Sequence, residues 1–232
     1  MNIVITGASK GIGKAIAEQF AAAGHTLYIC SRSEKQLYDT VALLQTQYPA
    51  ITVKARPADM GIKKEAQAFG EWVLGFGVPD VIINNAGNFI QGSIHDEEEG
   101  ILEKMINTNL YSAYHLTRKL LPPMIAAKKG HIFNICSIAS LQSYPNGGSY
   151  SISKFALLGF SKNLREELKP HGIKVTAVCP GATLSASWDG VDISPNRIME
   201  TQDIAKMVFA AVSLSPMAVV EDIVMRPQLG DL

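Results

Sequence analysis

Residues 3–13 read Ile3-Val4-Ile5-Thr6-Gly7-Ala8-Ser9-Lys10-Gly11-Ile12-Gly13. The first four favour β-structure and are apolar at successive positions, which predicts a short strand covered on both faces. The glycines break that strand. Ile12, Ile16 and Phe20 then recur on one helical face, and Gly24 is placed to stop the helix. Strand, glycine turn and helix in this order form the setting of a dinucleotide phosphate site. Gly7 permits the tight turn, Gly11 lets a pyrophosphate approach the backbone, and Gly13 lets the helix pack on the strand. The helix start adds free N–H groups and a positive dipole end, with Ser9, Lys10 and Ile12 beside them. The spacing is G-x-x-x-G-x-G, so glycines that only tighten a turn are the plainer alternative at this point.

The same alternation continues outward. Short Val- and Ile-rich runs at residues 26–30, 51–55, 81–84, 131–136, 174–179 and 222–225 predict six further strands. Helical patterns fall between them at residues 12–23, 34–47, 63–74, 97–127, 149–168 and 201–213. This order predicts an α/β fold: a single-domain, doubly wound, Rossmann-type parallel sheet of about seven strands with helices on both faces. No linker or composition break divides residues 1–232, so one domain is expected. Asp96, with Glu99 three residues on, is expected to cap the fourth helix, and the acidic cluster 96–99 then reads as a solvated helix start. Pro122-Pro123 is expected to kink that helix or end it early.

Composition narrows the function. Of 232 residues, 47% are hydrophobic, enough for a sizeable core. Lys plus Arg and Asp plus Glu are 21 each, which leaves no electrostatic footprint for nucleic acid or an anionic membrane. A small molecule, another protein or a second copy remains as partner. Cys30, Cys136 and Cys179 sit in apolar stretches and read as buried free thiols, which fits a reducing, cytoplasmic compartment. The cysteines are far apart in sequence and the histidines scattered, so no metal site is expected. Met1-Asn2 runs straight into the first strand without a signal-peptide pattern, and no apolar run reaches the roughly 20 residues of a membrane span.

The end of the second strand selects the cofactor. An NAD site usually carries Asp or Glu there to accept from the ribose 2′-hydroxyl. This chain has Ser31-Arg32, and Arg suits a 2′-phosphate through bidentate geometry. Lys10 adds a second cation. NADP(H) is therefore preferred over NAD(H).

Tyr150 and Lys154 stand at i and i+4, on one face of the helix 149–168. A phenol with its ordinary pKa of about 10 is a poor acid–base catalyst at neutral pH, and an adjacent ammonium lowers that value. Ser137 follows the fifth strand, and reactive groups in open α/β sheets collect at the carboxyl ends of strands. These three groups can hold and protonate a carbonyl oxygen. A Tyr–Lys pair on a helix is common by chance and is weak taken alone.

Together the motifs resemble the classical short-chain dehydrogenase/reductase family. They are Thr6-Gly7-x-x-x-Gly11-x-Gly13, Asn84-Asn85-Ala86-Gly87, Asn109 within Asn107-Thr108-Asn109-Leu110, Ser137, Tyr150-x-x-x-Lys154 and Pro180-Gly181, in order over residues 3–181. The resemblance implies that Tyr150 protonates the carbonyl oxygen as hydride arrives from the nicotinamide. Ser137 would orient that oxygen. Lys154 would lower the Tyr150 pKa and bond the nicotinamide ribose, and Asn109 would hold a water behind Lys154. Asn85, Ala86 and Gly87 would line the adenosine side, Asp59 and Met60 would meet the adenine, and Pro180 and Gly181 would contact the nicotinamide. Thr183-Leu184-Ser185 stand where the family often has Val-x-Thr, so Thr183 and Ser185 are the candidates to hold the carboxamide. Residues 182–200, with Trp188, read as a substrate lid. Phe89, Leu141 and Tyr144 flank the motifs and suit an apolar ketone.

The expected activity is NADP(H)-dependent reduction of a small or medium carbonyl substrate. A 3-oxoacyl-thioester reductase is the alternative, although the C-terminal residues 221–228 lack the family's Val-Asp-Gly-Gly ending for that branch. A non-catalytic NADP-binding sensor is the alternative from another class. A homo-oligomer, dimer or tetramer, joined through the helices 97–127 and 149–168, is what the resemblance implies.

Overall fold

The structure is a computed structural model that describes residues 1–184, 194 and 197–231. Seven strands form one parallel sheet in the order β3-β2-β1-β4-β5-β6-β7. They are β1 Asn2–Thr6, β2 Thr26–Cys30, β3 Val53–Ala55, β4 Val81–Asn84, β5 Gly130–Ile135, β6 Ile173–Pro180 and β7 Asp222–Met225. The helices are α1 Gly11–Ala22, α2 Glu34–Gln47, α3 Lys63–Leu74, α4 Ile101–Met105, α5 Ser112–Ala127, α6 Gly148–Leu168 and α7 Thr201–Val212.

Alternation along each strand divides the core between two faces. Ile3, Ile5, Leu27 and Ile29 pack with Ile16 and Phe20 of α1, Leu37 of α2, and Ile204 and Val208 of α7. Val4, Tyr28 and Ile82 point the other way, onto Phe69 of α3, Leu116 and Leu120 of α5, and Leu164 of α6. The expected doubly wound sheet with helices on both faces is what the chain forms. Strand order reverses at β1, which pairs with β2 on one side and β4 on the other. A crevice at the carboxyl ends of β1 and β4 is the ligand position that such a reversal creates.

Gly24 (φ 75°) ends α1 as expected. The expected start of the fourth helix fails, and of the two effects expected at Pro122-Pro123, a kink or an early end, the early end does not occur. Residues 97–100 are not helical, and α4 starts only after Gly100, whose φ of 88° is left-handed. Asp96 and Glu99 therefore do not cap it. The Pro122-Pro123 pair lies inside α5, which continues to Ala127. Leu116, Leu120 and Met124 are buried with Phe69 of α3, and this packing outweighs the roughly 3 kcal/mol that an internal proline costs. The three cysteines are free and buried. No described helix is long and apolar enough to cross a membrane, and no metal-binding cluster occurs among the described residues.

Candidate active site

The glycine turn and the β4 end interlock. Gly7 (φ 66°) and Gly11 (φ 57°) adopt left-handed backbone that only glycine takes without strain. A Cβ on Gly13 would overlap the Gly7 carbonyl and the Asn85 amide. Asn85 Nδ2 donates to the carbonyls of Thr6 (2.9 Å) and Gly7 (3.0 Å). The Thr6 hydroxyl in turn accepts from the N–H groups of Asn85 (3.0 Å) and Ala86 (2.9 Å). The α1 N-terminus has no side-chain cap and no acidic residue in its first turn. Its leading N–H groups and dipole thus face the crevice available to a phosphate. Backbone glycines and uncapped donors of this kind fit a dinucleotide pyrophosphate. Ser9 and Lys10 border the turn, while Ile12 packs against the core.

At the adenosine end, Arg32, Asp59, Gly61, Lys104, Asn107 and Thr108 help line a recess of about 380 Å³. Arg32 is exposed. Ser31 is buried and its hydroxyl donates to the Ser33 carbonyl at 3.1 Å, so Arg32 and Lys10, not Ser31, supply free donors. Asp59 Oδ1 accepts from the Gly61 N–H at 2.9 Å. The Met60 side chain is buried in the second core, which leaves only its backbone for an adenine.

Ser137 follows β5, and its side-chain oxygen accepts from the Ala139 N–H at 3.1 Å. The hydroxyl hydrogen therefore remains to donate. Tyr150 lies in the first turn of α6 and Lys154 one turn on. The Lys154 ammonium is buried, donates to the Ile135 carbonyl at 2.8 Å and sits 5.8 Å from the Tyr150 ring centre. A Cβ on Gly87 would come within 3.3 Å of Asn109 Oδ1, a tight contact, with Lys154 Nζ at an ordinary 3.7 Å. Burial pushes the Tyr150 phenol above its ordinary value, while the facing Ser137 side chain pulls it down. Burial likewise lowers Lys154. The net shift of Tyr150 is therefore upward, because loss of water around the phenol outweighs the Ser137 hydrogen bond.

Asn109 sits in a widened π-turn, Ile106–Tyr111, between α4 and α5. Such turns re-aim a side chain inward. Its Nδ2 donates to the Asn88 carbonyl (3.0 Å) and Ser153 Oγ (2.8 Å), and its Oδ1 accepts from the Asn88 N–H (2.7 Å). Both amide hydrogens are committed to protein. The side chain thereby braces the Asn88 stretch against α6.

Phe89 meets Tyr150 edge-on, with ring centroids 4.8 Å apart. Burial brings Tyr144 up to about 12, and the nearby Tyr150 phenol adds to that rise. Leu141 is 43% exposed, so it offers apolar surface. Pro180 ends β6, and the Gly181 N–H donates to the Met225 carbonyl at 2.8 Å. The Thr183 hydroxyl donates to the Gly181 carbonyl at 3.0 Å and is buried, which removes it from an open site. Ala182 and Leu184 pair with Met199 across the base of the expected lid. Ser185, Trp188 and most of that lid lie outside the described residues. Sequence reasoning misses Thr6, Asn88, Glu97 and Ser153. Thr6 opens the glycine motif and Glu97 lies in the acidic run that reads as a helix start, but neither is given its role there, and Asn88 and Ser153 carry no signal.

The short chain dehydrogenase family model matches residues 1–193. An uncharacterised oxidoreductase of Staphylococcus epidermidis is 29% identical, over 97% of this chain and 96% of its own length. An alcohol dehydrogenase of the archaeon Thermococcus sibiricus, solved with 5-hydroxy-NADP, superposes with a TM-score of 0.91 at 26% identity, covering 98% of this chain and 96% of that one. A point variant of the actinorhodin polyketide ketoreductase, solved with NADPH, gives a TM-score of 0.89 at 26% identity, covering 100% of this chain and 97% of that one. With the glycine turn, the Asn85 lock and the Ser137–Tyr150–Lys154 set on one sheet edge, the chain belongs to the short chain dehydrogenase family of oxidoreductases.

Proposed function

We propose that this protein is an NADPH-dependent carbonyl reductase acting on small or medium, largely apolar ketones or aldehydes. The observation that carries the reading is the meeting of Ser137, Tyr150 and Lys154 at the carboxyl edge of β5, beside the glycine cradle. The uncapped α1 N-terminus, with Gly7, Gly11 and Gly13, would hold the pyrophosphate, and Arg32 and Lys10 the 2′-phosphate. NADPH supplies a hydride to the carbonyl carbon when bound.

The chain's own residues manage the oxygen. The free Ser137 hydroxyl hydrogen fixes the carbonyl oxygen by a hydrogen bond. Tyr150, protonated because burial holds its pKa high, donates its proton to the same oxygen. The buried Lys154 ammonium stabilises the phenolate left behind. Phe89, Tyr144 and Leu141 give the substituents an apolar wall. The exposed side chains of Tyr111, Ile152 and Phe155 on and before α5 and α6 support assembly into a homo-oligomer, and three unpaired thiols suit a cytoplasmic setting.

Tyr150→Phe tests the reading with a panel of ketones, aldehydes, hydroxy acids and oxoacyl thioesters, followed by NADPH absorbance. The expected outcome is loss of NADPH oxidation by about 10²–10⁴-fold with NADPH binding retained. Undiminished turnover would remove Tyr150 from the chemistry. Tight NADPH binding by the wild type without oxidation of any panel member would favour a sensor.

A further inference from the structure

The stretch between β4 and α4 carries Phe89, whose ring meets Tyr150 at an interplanar angle of 89°. That stretch is anchored along its length. At Asn88 the Asn109 amide grips both backbone groups. Further on, the Gly92 N–H donates to the Asn146 carbonyl at 3.2 Å, and the Ser93 hydroxyl donates to Asn146 Oδ1 at 2.6 Å. Asn146 itself has a left-handed φ of 59°, which Asn tolerates better than most residues. At the far end, Glu97 Oε1 accepts from the Ser149 N–H at 2.9 Å and Oε2 accepts from the Ser149 hydroxyl.

Ser149 is the second residue of α6 and immediately precedes Tyr150. The leading N–H groups of a helix have no partner within it, and a carboxylate is the acceptor its dipole favours. α6 has no cap from its own N-cap residue, Gly147. Glu97 supplies one from across the cleft. Space is kept for it: a Cβ on Gly92 or on Gly148 would strike the Glu97 side chain.

We infer that Glu97 is a positioning residue for the reductase, clipping the Phe89 loop to the first turn of the helix that bears Tyr150. The aromatic wall and the proton donor are thereby held as one unit, which sets where an apolar substituent lies when its carbonyl reaches the phenol. This rests on the carbonyl-reductase reading above. A displacement of about 1 Å at reacting groups can cost about 10²-fold in rate, so a clip of this kind matters to turnover.

The experiment compares Glu97→Ala, Glu97→Gln, Phe89→Ala and the double variant Glu97→Ala/Phe89→Ala. In Glu97→Ala, kcat/KM for ketones falls about tenfold, carried more by KM than by kcat, while NADPH affinity stays within about twofold. Glu97→Gln keeps an acceptor for the Ser149 N–H and recovers most of the loss. The double variant is no worse than the weaker single variant by more than about twofold, because both changes release the same wall. Fully multiplicative losses, or no recovery with Gln, would overturn the inference.

Hydrogen exchange by mass spectrometry on peptides covering residues 88–97 and 145–152 gives a readout independent of turnover. Glu97→Ala accelerates exchange in both peptides and leaves β1 and β2 protected. Unchanged exchange in those peptides overturns the clip. Accelerated exchange in Glu97→Ala, together with a wild type that reduces no ketone, sustains the clip and removes the reductase reading instead.

Discussion

The Lys154 ammonium lies 5.8 Å from the centre of the Tyr150 ring and is fixed there by the Ile135 carbonyl at 2.8 Å. It is a buried cation whose one protein acceptor among the described contacts is neutral. Its charge is therefore available to a phenolate formed during turnover. Lys154→Met is expected to lower kcat/KM for ketone reduction by about 10²–10⁴-fold, measured by NADPH oxidation. Lys154→Arg does not restore it, because a planar guanidinium does not fit the buried ammonium position. Turnover within about twofold of wild type in Lys154→Met would contradict this assignment.

Tyr150 must be protonated to act as an acid, so reduction falls as pH rises through its pKa. Ser137 is the group that pulls this pKa down against burial. Ser137→Ala is therefore expected to move the alkaline limb of kcat/KM to higher pH. The plateau drops by roughly 10²-fold as the carbonyl oxygen loses a donor. A pH–rate profile checks both, and a limb that moves to lower pH would refute the pairing.

Arg32 stands exposed at the end of β2, at a recess it shares with Asp59. Arg32→Asp should weaken NADPH binding by about 10–100-fold, the range for a charge-assisted hydrogen bond. NADH binding should change by less than about threefold, since NADH lacks the 2′-phosphate. Titration calorimetry with both cofactors decides it, and equal affinities in the wild type would count against NADP(H).

Gly13 faces the Asn85 amide and the Gly7 carbonyl, with no room for a Cβ. Gly13→Ala should cost about 1–3 kcal/mol of stability by overpacking. It should also abolish NADPH binding, because the turn and the β4 end are forced apart. Urea unfolding and cofactor titration test the two effects. Full stability would show that the Asn85 lock yields easily.

His131 of β5 is buried, and its pKa is brought from 6.5 down to about 3 by burial and by Lys174. Its Nε2 lies 2.7 Å from Thr176 Oγ1, and that hydroxyl spends its hydrogen on the Val220 carbonyl at 2.6 Å. Nε2 must then carry the proton of a neutral ring. As pH falls from 6.5 towards about 3, the unfolded chain binds a proton that the folded protein refuses. Stability from this group is full above that window, declines within it by up to about 1.4 kcal/mol per pH unit, and levels off below it. His131→Gln keeps a donor for Thr176 and should flatten this part of the acid slope in urea midpoints measured from pH 7 to 4. An unchanged slope would show that His131 is not its source.

Some corrections have a common cause. Asp96 and Glu99 look like a helix start because acidic residues precede an apolar periodic run. Gly100 postpones that start, and Glu97 reaches across the cleft to a different helix. Pro122-Pro123 looks like a stop because proline removes a donor. The apolar face of α5 has a partner in α3 that no local pattern reveals. Asn109 is legible as a functional position, yet its brace on Asn88 and Ser153 joins residues distant in the chain.

The chain order of apolar runs and glycines determined the number of strands, the phosphate turn and the i, i+4 placement of Tyr150 and Lys154. These depend on spacing along the backbone, which is a property of the sequence itself. The tertiary structure decided the direction of the Tyr150 pKa, the withdrawal of Ser31 and Thr183 into hydrogen bonds with neighbouring carbonyls, and the Glu97–Ser149 link. Each depends on how much water is lost around a polar group and which partner replaces it. That is settled only when segments far apart in the chain close on one another.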